Sequence, residues 1–198
     1  MNHIIRQQLL ESIQVKQAIL SDEAFLALIE QASQRCIDAY QNGHRLFTVG
    51  NGGSAADAQH IAAELVSRFY FDRPGLAAEA LTVNASSLTA IGNDYAYARI
   101  FARQLEANGQ AGDVLFAIST SGNSENILEA IRSAREKNIT VIGFSGKTGG
   151  AMADLCDLCF KVPSTDTPRI QEAHILIAHV ICAIIENKLF APTDQAKN

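Results

Sequence analysis

Apolar residues recur along this chain with two different periods, and the alternation between them sets out its architecture. Residues 3–20 and 22–42 carry the 3.6-residue spacing of amphipathic helices. In the second, Phe25, Leu28, Ile29, Ala32, Cys36, Ile37 and Tyr40 fall on one face. Ser21 is expected to cap it, Asp22 and Glu23 to occupy its first turn, and Gly43 to end it. The first helix has more apolar surface than the edge of one globule uses, which points to packing against another subunit. Beyond Gly43, short apolar runs of strand length alternate with helical stretches. The expected strands cover 45–49, 79–83, 113–118, 139–144 and about 157–162. Helices are expected over about 55–70, 125–137 and 169–189, with two shorter ones near 86–91 and 96–107 separated by Gly92-Asn93-Asp94.

No Asn-Gly hairpin turn joins two of these strands. That order implies an α/β fold with a five-stranded parallel sheet and helices on both faces. The whole of 1–198 reads as one domain, with N-terminal helices over 1–43, the α/β core over 44–190 and a loose tail over 191–198.

A net charge of −5, with no lysine- or arginine-rich run, argues against non-specific nucleic-acid binding. The first residues lack the unbroken apolar stretch of a signal peptide, and no run approaches the roughly 18 apolar residues of a membrane span. Cys36, Cys156, Cys159 and Cys182 lie in apolar runs and read as reduced, buried thiols of a cytoplasmic protein. Cys156 and Cys159 resemble a CxxC motif. On a strand, their odd separation would send the two side chains to opposite faces, and no second CxxC exists.

Open α/β sheets bind ligands beyond the carboxyl ends of their strands, and two of the expected ends carry unusual turns. Ser119-Thr120-Ser121-Gly122-Asn123-Ser124 lies between the apolar run ending at Ile118 and a helix start. Its hydroxyls and unpaired backbone N–H groups would converge at the positive end of a helix dipole, which suits a phosphate. A simple cap by Ser121 or Ser124 is the alternative, although one hydroxyl would suffice for that. The other turn, Gly50-Asn51-Gly52-Gly53-Ser54-Ala55, fits a loose dinucleotide pattern, but Val83 is followed by Asn84 where a ribose-binding acid is needed. In the helix after it, His60 and Glu64 share a face four residues apart, as a half-site for a divalent metal or as a hydrogen-bonded pair. Arg68 continues that face and could attract an anion or pair with Glu64. The final helix brings Arg169, Gln171, His174 and His179, the last among apolar neighbours that make an unpartnered imidazole costly.

These stretches together resemble the phosphoheptose isomerases. The likeness runs through Gly50–Ser54, Asp57, His60, Glu64, Arg68, Asp72-Arg73-Pro74-Gly75, Gly92-Asn93-Asp94, Ser119–Ser124 and Arg169-Ile170-Gln171-Glu172, and covers nearly the whole chain. It implies the SIS (sugar isomerase) fold, a three-layer α/β/α sandwich, assembled as a homotetramer. It implies conversion of sedoheptulose 7-phosphate to D-glycero-D-manno-heptose 7-phosphate, the first step towards the ADP-heptose of lipopolysaccharide core. By resemblance, His60, Glu64, Gln171 and His179 would hold one zinc ion per subunit. Substrate contacts would come from Asn51, Gly52, Gly53, Glu64, Asn93, Asp94, Ser119, Thr120, Ser121, Ser124 and Gln171. Glu64 and His179 would be the acid–base pair. Pro168 stands where some relatives carry Asp.

Aldose–ketose interconversion needs a base, an acid and a means of stabilising an oxyanion, and this residue set contains all three. A non-enzymatic alternative shares the fold: the tetrameric DnaA initiator-associating protein, a class that tends to lack the full Glu and His set. Gln171 and His179 are eight residues apart, about 12 Å along a regular helix. Either Gln171 precedes the regular helix, or one ligand comes from a neighbouring subunit.

Overall fold

Strand residues partition strictly between two cores, as the period-2 geometry of a doubly covered sheet requires. The computed structural model describes residues 1–191; of the tail expected over 191–198, residues 192–198 lie outside the described part. Strands β1 (Leu46–Gly50), β2 (Ala78–Ala80), β3 (Val114–Ile118), β4 (Thr140–Ser145) and β5 (Leu158–Lys161) form one parallel sheet in the order β2-β1-β3-β4-β5. Leu46, Val114, Phe116, Ile118, Ile142 and Phe144 join the core under helices α1 (Asn2–Leu20), α2 (Glu23–Gln41), α3 (Gly53–Val66) and α7 (Thr167–Phe190). Their chain neighbours Phe47, Val49, Leu115, Ala117 and Val141 face the other core, with α4 (Ala85–Asp94), α5 (Ala102–Asn108) and α6 (Glu125–Glu136). The result is a three-layer sandwich. Thr48 is buried on the α3 side, and its hydroxyl donates to Ala58 O at 2.8 Å, which satisfies an otherwise costly polar group.

Several expected boundaries move, each for a local reason. Asp22, not Ser21, caps α2, accepting from the backbone N–H of Ala24 and Phe25, whereas the Ser21 hydroxyl donates back to Gln17 O at the end of α1. Gly92, Asn93 and Asp94 do not separate two helices but form the last turn of α4. The expected strand over 79–83 is only three residues long. The helix expected to run to residue 70 stops at Val66. There the Arg73 guanidinium donates to the carbonyls of Glu64, Leu65 and Ser67, so a side chain takes the place of further helix.

Arg73 is itself held by Glu186 of α7 through a 3.0 Å Nε–Oε2 bond, both side chains being 1% exposed. Glu186 also accepts from the backbone N–H of Phe69, Tyr70 and Phe71. Burial acts to raise its carboxyl, but these donors outweigh burial and hold it below the ordinary carboxylate range.

By length and composition α7 alone among the described helices is apolar enough to cross a membrane, contrary to the sequence expectation. Its apolar residues, among them Ile170, Ala173, Ile177, Ala178, Ile181 and Ile185, are buried against the sheet and its neighbours. His174 sits among them, with Nε2 3.1 Å from Ser145 O. Desolvation lowers its pKa to about 4, with the Ser145 contact opposing. The unfolded chain would take up this proton below about pH 6.5, while the native state refuses it until about pH 4. Native stability is therefore expected to fall as pH drops through that window, by roughly 3 kcal/mol in all. Denaturant unfolding of the wild type and of His174→Gln across the window checks this, since the variant should lose much of the slope.

Two surface features bear on assembly. Ser12 donates to Glu172 at 2.6 Å, and Arg169 bonds both Glu172 and Gln8 O, which pins one face of α1 to α7. The other face leaves Ile4, Ile5, Leu9, Leu10 and Ile13 exposed. Cys156 precedes β5, so strand alternation does not apply to it. It and Cys159 lie on the same side, where a Cβ on Gly143 would meet both sulfurs, and both are only half-buried.

Candidate active site

β1 and β3 are adjacent, with Gly50 in register with Ile118, so the glycine turn and the hydroxyl turn emerge side by side. The glycine turn is tight: a Cβ on Gly50 would lie 2.3 Å from Ser54 O. In the hydroxyl turn Gly122 has φ +67° and packs so close to Gly149 that no side chain fits. Ser124 occupies the N-cap position of α6, yet its side chain makes no capping bond. It accepts instead from Ser119 Oγ at 3.2 Å, and Ser121 Oγ lies 3.5 Å from the same atom. Among the described residues, the backbone N–H groups of Ser121, Ser124, Glu125 and Asn126 donate to no protein acceptor. Hydroxyls and free N–H groups thus gather at the N-terminus of α6, the arrangement that binds anions. Thr120 and Ser121 also face a cleft of about 240 Å³ shared with Lys147, Thr148 and Ser164, a lysine that sequence reasoning did not place there.

On the α7 side of the sheet, α3 and α7 lie side by side and run the same way. Gln171 covers Gly53 at the start of α3, where a Cβ would meet its Nε2 at 2.4 Å. About two turns further along, His60, Glu64 and His179 converge, their ligand atoms all within 4.8 Å of one another. His60 Nε2 is 2.9 Å from Glu64 Oε1, and the His60 and His179 rings meet edge to face with centroids 4.9 Å apart. Phe69, placed by the Glu186–Arg73 clamp, packs on His179 with centroids 5.6 Å apart. Desolvation is the main cause that lowers the His179 pKa; His60 adds to it and Glu64 opposes it. His179 Nε2 is buried with no hydrogen-bond partner, and Asp57 Oδ2, one turn before His60, is likewise orphaned. Burial raises the Asp57 carboxyl, with His60 opposing.

These observations test whether the cluster fits a metal ion. Two imidazoles and a carboxylate are a donor set for zinc, and the buried Nε2 of His179, which has no partner, is a polar atom that a bound ion could satisfy. Bonds of about 2 Å from one centre would draw the three groups slightly together. The residues fit. α7 begins at Thr167, so Gln171 lies inside regular helix, with its amide against Gly53 at the start of α3. Arg68 lies beyond the end of α3 and makes no ion pair with Glu64.

Asn51 and Gly52 line a third region, a cleft of about 410 Å³ whose far wall includes Thr82, Thr89, Gly92 and Tyr97. Asn93 and Asp94 adjoin it at the exposed end of α4, bonded to each other at 2.9 Å.

Residues 11–146 match the family model described as SIS domain. A phosphoheptose isomerase of Aneurinibacillus thermoaerophilus is 59% identical over 190 residues, covering 96% of each chain. Phosphoheptose isomerase 2 of Campylobacter jejuni is 60% identical over 190 residues, covering 96% of this chain and 94% of its own. The structure of phosphoheptose isomerase from Neisseria gonorrhoeae superposes with a TM-score of 0.88 at 41% identity, over 94% of this chain and 98% of its own. The chain belongs to the SIS domain family and, within it, to the phosphoheptose isomerases, enzymes that isomerise a phosphosugar.

Proposed function

We propose that this enzyme converts sedoheptulose 7-phosphate to D-glycero-D-manno-heptose 7-phosphate, a cytoplasmic first step towards ADP-heptose and lipopolysaccharide core. The convergence of His60, Glu64 and His179 from two helices is the observation that carries this reading. Members of the non-enzymatic DnaA initiator-associating class need no such set.

In this reading the phosphate rests on Ser119, Thr120, Ser121 and Ser124 at the N-terminus of α6, and Asn51, Gly52, Gly53, Asn93 and Asp94 contact the sugar. Remote anchoring fixes the reacting carbons against the base and converts binding into orientation. Glu64 removes a proton from C1 of the ketose and returns it to C2, through an enediol. His179 moves the hydroxyl proton between O1 and O2. A nitrogen cannot hold a metal and carry a proton at once, so if Nε2 held the ion, Nδ1 would carry the proton. A zinc ion held by His60, Glu64 and His179, with Gln171 as fourth ligand, would supply Lewis-acid stabilisation of the developing oxyanion. In deuterated water a proton held on Glu64 exchanges in part with solvent before its return, so the product should carry a fraction of deuterium at C2. Complete retention of protium would argue against a solvent-exchangeable base.

Gln171 would reach this centre from a neighbouring subunit of a homotetramer, one zinc per subunit. Within one chain it lies about 10 Å along α3 from His60, by the rise of seven helical residues. Exposed Leu176 and Val180 flank His179 on α7, and α1 offers a further apolar face. Co-assembly of Gln171→Ala chains with Glu64→Gln chains tests the arrangement. A composite site gives some interfaces that join an intact triad to an intact Gln171, so part of the activity returns. Mixed tetramers as inactive as either parent would place the whole centre within one chain.

A further inference from the structure

The two ligand turns are joined by an amide pair that the chemistry above does not use. Asn51 Nδ2 donates to Asn126 Oδ1 at 2.8 Å, and Asn126 Nδ2 donates back to Asn51 Oδ1 at 2.8 Å. The Tyr97 hydroxyl donates to the same Asn51 Oδ1 at 3.2 Å. Asn51 belongs to the glycine turn. Asn126 is buried in the first turn of α6, the helix whose N-terminus carries the hydroxyl turn, and Tyr97 comes from the helical turn Tyr97–Arg99 across the 410 Å³ cleft. Three segments far apart in sequence therefore meet on one side chain.

The inventory of donors and acceptors shows what this does. An amide oxygen has two lone pairs, and both on Asn51 are taken; its NH₂ has two hydrogens, of which one is used. What the Asn51 side chain has left to offer a ligand is a single N–H donor. Turning both amides over together would preserve the pair and leave the Tyr97 hydroxyl accepting from Asn51 Nδ2; in the orientation present Tyr97 donates, and the free group on Asn51 is the N–H donor. The pair also spans β1 and β3 at their carboxyl ends, which fixes the separation of the two turns.

We propose that Asn126 and Tyr97 are positioning residues for recognition of the sugar. They lock Asn51 so that a phosphosugar anchored in the hydroxyl turn meets one N–H donor, aimed at a hydroxyl or carbonyl oxygen of its chain. The inference rests on the phosphosugar reading of the site. It separates two ligands sharply: inorganic phosphate needs only the hydroxyl turn, whereas a phosphosugar must touch both turns at once.

The test uses Asn126→Ala, which removes both bonds to Asn51 without adding a charge beside the hydroxyl turn and keeps the backbone N–H, and Tyr97→Phe, which removes one exposed hydroxyl. Affinities for inorganic phosphate and for sedoheptulose 7-phosphate are measured by calorimetry on the full-length protein, with unfolding curves as a control. Phosphate affinity should stay within about twofold of wild type in both variants. Phosphosugar affinity should fall about tenfold in Asn126→Ala and about threefold in Tyr97→Phe, the scale of one lost hydrogen bond. A parallel loss of both affinities would mean that the variants damage α6 itself, and no loss of either would mean that the pair is only structural; each overturns the proposal. Wild-type protein that binds both ligands without turnover would sink the isomerase reading but leave the comparison of affinities intact.

Discussion

Glu64→Gln is expected to remove about 10²–10⁴-fold of the turnover while leaving the protein folded, the usual contribution of a positioned general base. The amide has the shape of the carboxylate and can still meet His60, now 2.9 Å away, so packing around α3 should survive. What it cannot do is accept a proton from carbon. Glu64 is also one of the three converging ligand groups, so zinc affinity is expected to weaken as well. Measuring the rate at saturating zinc, with circular dichroism and metal content alongside, separates the two losses. A variant that keeps near-full rate with metal bound would remove Glu64 from the proton path.

Glu186→Ala has the largest expected effect on stability, about 3–5 kcal/mol, because it leaves a buried guanidinium without its counter-charge. Three backbone N–H groups, those of Phe69, Tyr70 and Phe71, lose their acceptor in the same change. Arg73 would then be poorly held at the end of α3, where it covers the carbonyls of Glu64, Leu65 and Ser67. For a chain of this length each kcal/mol moves the melting point by about 2–4 °C, so a fall of roughly 10 °C is expected. Glu186→Gln, which keeps an acceptor but no charge, should lie between the two. The segment released is the one that packs Phe69 on His179, so zinc affinity should decline together with stability. An alanine variant that melts with the wild type would show that the clamp contributes nothing.

The sheet was legible because parallel strands covered on both faces are short apolar runs, and those at 114–118 and 140–145 could hardly be anything else. Helix ends were less so. Whether Ser21 or Asp22 caps α2 depends on a backbone angle, and the stop at Val66 depends on an arginine seven residues on. The i,i+4 spacing exposed His60 and Glu64, but His179 joins them only through the parallel packing of α3 on α7, which no local pattern encodes. A lone acid in the apolar run of α7 was a readable sign that Glu186 has a buried partner, although its identity, 113 residues away, was not. The Asn51–Asn126 pair left no such sign. Asparagine at a turn and in the first turn of a helix is unremarked in any sequence, and only the adjacency of β1 and β3 brings the two together.

The proposed reaction interconverts a ketose and an aldose phosphate at a metal-dependent centre built on His60, Glu64 and His179. Its most direct test is incubation of zinc-replete protein with sedoheptulose 7-phosphate, without nucleotide or nicotinamide, with the sugar carbons followed by NMR. D-glycero-D-manno-heptose 7-phosphate is expected to accumulate, the rate to collapse with a chelator, and zinc to restore it. A metal-replete protein that binds the ketose and leaves it unchanged would rule out this activity.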